Sequence, residues 1–255
     1  MKKITTAIVV LQSTAPALQN PMLQKTLDEI GGKEASGSRR TDKTDKVVAE
    51  TKLYRHGGKM GWPALNLGAA LCEAGKHVQA KLGAAKKTSA ITKSTGRGPI
   101  PTIVGFTKSF YPFTGVDAET GEIEWEPNGA RTVNPQTGGS NRTVRPLLNR
   151  WEMEVEFTYT GEFSDDTMLE LWQKAGEKAG LGDGRPSAPN KPLPIPHGTF
   201  KVVSFKITKR EQVDDSVKIE FAPDFREAAA RGNGDIKPTV ELASVTPRPE
   251  MVVTS

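Results

Sequence analysis

Two stretches of this chain carry cations and no acid. Ala74 to Val116 holds Lys76, Lys81, Lys86, Lys87, Lys93, Arg97 and Lys108 without one Asp or Glu. Pro127 to Arg150 holds Arg131, Arg142, Arg145 and Arg150, again without one. Such side chains neutralise phosphates and release the counterions condensed on a nucleic-acid backbone. Phe106, Phe110, Tyr111 and Phe113 lie among them, and aromatic rings give bases a platform to stack on. Gly, Ser, Thr and Asn fill the gaps, as suits loops that follow a flexible strand. The pattern points to single-stranded RNA or DNA; the bland alternative is solvated loops with the aromatics in the core. The chain carries 35 Lys+Arg against 30 Asp+Glu, a net charge of +5, so the segregation of charge says more than its total.

A second feature is the run "AGLGDGRP", Ala179 to Pro186, with Gly180, Gly182 and Gly184 at alternate positions and Arg185 after them. Gly180 reads as the residue that stops a helix. Gly182 and Gly184 let another backbone approach closely, either a nucleic acid's or a neighbouring subunit's. The run follows a helix instead of opening one, so no helix N-terminus points at a phosphate there. A nucleotide P-loop would need G-x-x-x-x-G-K-[ST] between a strand and a helix, and no segment has it. Asp183 and His197 flank the run and are weak candidates for an acid–base pair; no catalytic group stands out. His56, His77 and His197 are far apart in sequence, and no CxxC, HExxH or EF-hand spacing occurs, so no metal or other cofactor is expected. Cys72 reads as a structural thiol on the apolar side of a helix.

The elements that must position these residues follow from periodicity. Ile4 to Leu11 is rich in β-branched residues and predicts a strand. Pro21 to Ile30 suggests a short helix and Val47 to Tyr54 a strand, with a turn at "HGGKMG". Leu67, Ala70, Leu71, Ala74 and Val78 recur at helical spacing after Pro63, predicting a helix that ends at Gly83. "PIPTIVGFTKSFYPF" has strand character, "VDAETGEIEWEP" suggests a hairpin turning near Thr120, and "NGARTVNPQTGGSNRTVRP" reads as loop. Trp151, Met153, Val155, Phe157 and Tyr159 alternate with Glu152, Glu154, Glu156 and Thr158, the pattern of a strand with one apolar and one charged face. Ser164 caps a helix whose first turn carries Asp165 and Asp166. "GTFKVVSFKITKR" is a further strand, with one more expected at Val217 to Phe221.

The order is strand, helix, strand, strand, helix, strand: an α+β fold with a ferredoxin-like βαββαβ core. Residues 1–210 are expected to form that domain, with long insertions at about 12–62 and 83–150, and 211–255 an extra strand and tail. An RNA-recognition motif is disfavoured because "HGTFKVVSF" keeps a glycine and Phe200 but departs from its signature strand. The hydrophobic share of 36%, with 25 Gly and 18 Pro, leaves much of the chain to loops. A lone cysteine rules out an internal disulfide and fits a reducing cytoplasm. "ITTAIVVL" reads as a strand rather than a signal peptide, and no apolar run is long enough to span a membrane.

Two segments resemble the RAMP superfamily of CRISPR-associated proteins, the Cas7-like group. "YRHGGKMGWPALNLGAALCEAG", Tyr54 to Gly75, is similar to that family's early turn and first helix, though it has "GWPALNLGAAL" where a further Gly-Ser-Ser-like turn is usual. "AGLGDGRPSAPNKPLPIPHGTFKVVSF", Ala179 to Phe205, is similar to the glycine-rich loop that leads into the last strand. The second segment also looks like uncharacterised proteins of bacteriophages and prophages. The resemblance implies RNA binding and homo-oligomers; no catalytic motif carries over. The reading is therefore a non-enzymatic, phage-type, cytoplasmic protein that binds single-stranded nucleic acid, with the basic residues above as its phosphate contacts. Alternatives are a structural or interaction protein, such as an inhibitor of a host defence system, and a RAMP-type endoribonuclease using His197 or Asp183.

Overall fold

The computed structural model describes residues 2–21, 44–80, 89–93, 98–117, 120, 122–133, 140–188 and 197–213. All of them lie in one compact unit, Met1–Asp214. The first strand, β1 (Lys2–Ser13), alternates strictly: Thr5, Ala7, Val9 and Leu11 are buried, and the residues between them are half-buried. That is the burial expected of a central strand with one face under helices. After the two-residue β2 (Ala17–Leu18) comes α1 (Asp45–Glu50), then β3 (Arg55–His56) and β4 (Lys59–Pro63). The expected strand at Val47 is thus a short helix. Only Ala49 of α1 is buried and Val47 is exposed, so the two valines offer no apolar row for a sheet.

Pro63 is the N-cap residue of α2 (Ala64–Ala74), and Leu67, Ala70, Leu71 and Ala74 form its buried stripe. The helix ends at Gly75, not at Gly83 as its periodicity suggests. A Cβ on Gly75 would meet the Thr92 hydroxyl at 2.3 Å, so the chain turns where only glycine fits against residue 92. Gln79–Ala80 (β5) then pairs with Ser89–Ala90 (β6). The segment expected to be strand from Pro99 onward divides into a short helix, α3 (Ile100–Ile103), and strands β7 (Val104–Phe106) and β8 (Phe110–Thr114).

The stretch read as loop from Asn128 onward is a hairpin, β9 (Trp125–Val133) with β10 (Ser140–Leu148). Its Gly, Asn and Pro content hides the ladder, because pairing uses the backbone. Pro127 and Pro146 fall opposite each other, so the missing N–H groups coincide in one cross-strand pair. Nor do β8 and β9 form a hairpin near Thr120. Asp117 N–H donates to the Glu122 carbonyl at 2.8 Å and closes a turn, after which β9 leaves for its own sheet.

β11 (Glu152–Thr160) shows the expected alternation, with Met153, Val155, Phe157 and Tyr159 buried. Ser164 Oγ accepts the Thr167 N–H at 3.1 Å and caps α4 (Asp165–Lys174), which runs into a π turn, Ala175–Ala179. β12 (Phe200–Val213) completes the principal sheet, whose order is β12-β1-β11-β8-β4-β3 with β7 also on β11. All its pairings are antiparallel. A second sheet has the order β2-β10-β9, with α1 packed on its hairpin. The architecture is α+β, and no described helix is long and apolar enough to cross a membrane.

The core lies between the principal sheet and its helices. Trp172 of α4 meets Phe157 of β11 edge-on, with ring centroids 5.3 Å apart, and touches Phe106 of β7 at 6.5 Å. Full burial of one such aromatic side chain contributes roughly 1.5–3 kcal/mol. The π turn beyond α4 closes at Gly180, whose N–H donates to the Ala175 carbonyl at 2.8 Å, and the glycine-rich loop begins there. The segments 22–30 and 217–221, expected to be helix and strand, lie outside the described residues.

Candidate nucleic-acid interface

The glycine-rich loop is bound to its own chain on two sides. Gly180, Gly182 and Gly184 all have positive φ, 71°, 79° and 68°. Leu181 N–H donates to the Gly198 carbonyl at 2.9 Å, Asp183 N–H to the Leu18 carbonyl at 2.9 Å, and His197 N–H to the Gly184 carbonyl at 3.1 Å. A Cβ on Gly182 would lie 2.2 Å from the Leu18 carbonyl oxygen, so the backbone of β2 occupies the space that the glycine opens. The close neighbour at Gly184 is the His197 ring, 2.9 Å from where a Cβ would stand. Arg185 is turned inward: its guanidinium donates to the Gly182 carbonyl at 2.9 Å and to Ser187 Oγ at 3.2 Å.

Asp183 gathers charge from three parts of the chain. Its carboxylate accepts from Asn20 Nδ2 at 3.0 Å and faces Arg145 Nε of β10 at 2.8 Å. Lys52, just after α1, is close enough to sense both charges. Its ammonium is held below the usual lysine range, first by burial and then by the Arg145 charge, with Asp183 pulling the other way. Two cations, Lys52 and Arg145, therefore face one carboxylate. Desolvation and a single counter-charge leave such a cluster receptive to an anion. Asn20 and Lys52 carry no mark in the sequence, because the contacts that bring them to Asp183 join distant segments.

Asp183 and His197 do not form an acid–base pair here: the carboxylate is committed to Asn20 and Arg145, and His197 joins the loop through its backbone. No group of His, Cys, Asp and Glu among the described residues could hold a metal ion. Beside the loop runs an open groove of about 990 Å³. The outer face of α2 supplies Leu65 and Cys72, α3 and β7 supply Ile100 and Phe106, and the loop supplies Gly182 and Arg185. Cys72 is half-buried at this groove rather than sealed in the core.

Lys93, Lys108 and Arg150 are exposed. The ladder of β9 and β10 sets Arg142 directly opposite Arg131, with Arg145 three residues nearer the base of the hairpin. Gly180, Gly182, Gly184 and Arg185 join Arg145 in one locality; Lys81, Lys86, Lys87 and Arg97 lie outside the described residues. Of the four aromatics, Tyr111 and Phe113 are buried in the core, so they cannot stack on bases. Phe106 is half-buried and borders the groove, and Phe110 is half-buried with its ring 5.6 Å from His56.

No family model matches the chain, and no curated protein does. It is similar in shape to a chain of a cryo-EM structure of the Type III-B Cmr-beta bound to cognate target RNA, with a TM-score of 0.42 and 14% identity. The match covers 81% of this chain and spans 61% of that one.

Proposed function

We propose that the protein binds single-stranded nucleic acid without cleaving it, through the β9–β10 hairpin and the basic segments around the glycine-rich loop. The observation that carries this reading is the register pairing of Arg131 with Arg142 in the β9–β10 hairpin, within residues 127–150 that hold no Asp or Glu. The exposed Lys93, Lys108 and Arg150 add sequence-independent phosphate contacts, joined by Lys81, Lys86, Lys87 and Arg97. Lys52 and Arg145, gathered at Asp183 beside the glycine-rich loop, supply a further anion-receptive point.

We read the fold behind this function as a ferredoxin-like domain of the RAMP type. β1, α2, β7–β8, β11, α4 and β12 follow one another in βαββαβ order, and their strands lie last, first, third, second across the sheet. That order supports the resemblance of the Tyr54–Gly75 and Ala179–Phe205 segments. A phage-type origin, a cytoplasmic setting and homo-oligomers belong to the same reading.

Fluorescence anisotropy of labelled RNA and DNA oligonucleotides over a salt series tests it. Each phosphate contact removed should flatten the log–log salt slope by about 0.7, so the R131Q/R142Q variant should reduce it by about 1.4. A Lys178→Gln variant, which removes a lysine already paired with Glu177, should keep the parent slope. Absence of binding at low salt overturns the proposal. Cleavage of the oligonucleotide would favour the endoribonuclease alternative instead.

A further inference from the structure

The face of the principal sheet turned away from α2 and α4 carries an ordered charge pattern. On β11, Glu152, Glu154 and Glu156 stand in one row. On β12, Lys201 and Lys206 stand in another. Between them runs β1, presenting Ile8, Val10 and Gln12. The register aligns the three strands level by level: Glu156–Ile8–Lys206, Glu154–Val10–Ser204 and Glu152–Gln12–Lys201. Ile8 and Val10 are half-buried and take no part in the core under the helices. Glu154, Lys201 and Lys206 are exposed, and none makes an ion pair among the described residues.

This pattern is unsuited to nucleic acid, since a row of three carboxylates repels phosphates. It is complementary to itself. We infer that this face binds the same face of a second copy of the chain, about a two-fold axis lying between the sheets and parallel to β1. That axis exchanges left and right while keeping each level in place. Glu156 then faces Lys206 of the second copy, Glu152 faces its Lys201, and the Ile8 and Val10 side chains meet across the axis. The alternative two-fold, lying across the strands, would set each glutamate row against its own copy. Isologous contacts form each ion pair twice, which doubles the effect of every charge. Two such sheets pack with their strands aligned to within about 30°.

The contact is small. Nine residues, three on each of three strands, cover roughly 17 Å by 14 Å, or about 240 Å² per copy, against about 800 Å² per partner in a stable interface. The dimer should therefore be weak and salt-sensitive. It depends on the sheet face alone and is independent of nucleic-acid binding.

Sedimentation equilibrium on the nucleic-acid-free full chain, from micromolar to millimolar concentration, tests it. The parent should dimerise at low salt and dissociate as salt is raised. Lys206→Glu or Glu156→Lys alone should weaken association by about 10-fold, because each sets like charges together twice. The E156K/K206E variant restores opposite charges across the axis and should return the dimerisation constant to within about 3-fold of the parent. These positions are on the sheet surface, so circular dichroism should match the parent throughout. A monomer under every condition overturns the inference and leaves the face to a different partner. So do single reversals that change nothing, or a double reversal that fails to rescue.

Discussion

Replacing Gly182 by alanine puts one methyl group into space held by the backbone of β2. The new Cβ would stand 2.2 Å from the Leu18 carbonyl oxygen and 3.0 Å from the Trp62 ring. Three contributions add. An L-residue held in the left-handed region, as φ of +79° requires, loses roughly 1–2 kcal/mol. Pushing β2 away breaks the Asp183 N–H bond to Leu18, worth about 1 kcal/mol. Overpacking against a backbone that the β10 ladder holds in place adds about 1–3 kcal/mol. The total is at least about 3 kcal/mol. Gly115 supplies the control: its φ is also positive, at 67°, but nothing lies within 4 Å of its Cβ position. Gly115→Ala should therefore show only the conformational part, about 1 kcal/mol. Urea unfolding of both variants, followed by far-ultraviolet circular dichroism and tryptophan fluorescence, measures the difference. If Gly182→Ala destabilises no more than Gly115→Ala, the loop is not clamped on β2 and the steric account is wrong.

Asp183→Asn should lower the Lys52 pKa further, since Asp183 is the group that raises it; lysine NMR titration reads the shift. The same variant should tighten oligonucleotide binding while costing only about 0.5–1 kcal/mol of stability, because the Arg145 pair is partly exposed. Tyr159 donates its hydroxyl to Asp165, and burial, aided by that carboxylate, pushes its pKa above the ordinary phenol range. Its neutral form contributes stability that is complete below about pH 10 and is lost as pH rises through the folded-state value. Ultraviolet difference titration of the chain's three tyrosines should show this one ionising last, and Asp165→Asn should bring it down. Ser164→Ala removes the cap of α4 and should cost about 1 kcal/mol in the same urea assay.

What could be read from the chain alone was whatever local chemistry decides. The nine-residue alternation of β11 and the Ser164 cap with its acidic first turn both name their structure outright. Leu67, Ala70, Leu71 and Ala74 named the buried stripe of α2, but not its end. That end depends on Gly75 meeting Thr92, a contact outside any helical window. The β9–β10 hairpin was hidden because Asn, Gly and Pro interrupt it, while pairing rests on backbone groups that every such residue except proline supplies. For the site, the glycines were visible as a motif, but their neighbour was not. Asn20, Lys52, Arg145 and Asp183 come together only when β2, α1, β10 and the loop after α4 are assembled. No spacing in the chain records that meeting.

The pairing of β1 with β12 also sets a clock. The first strand sits between β11 and β12, so one of its edges stays open until the chain has been made past Phe200. At synthesis rates of about 5–20 residues per second, the wait between β1 and its last partner is roughly 10–40 s. Throughout it, an apolar strand with Val9 and Leu11 waits in a nascent chain. Completion of the sheet therefore waits on a distant segment, and production of this protein should respond to chaperone supply more than a fold of local contacts would.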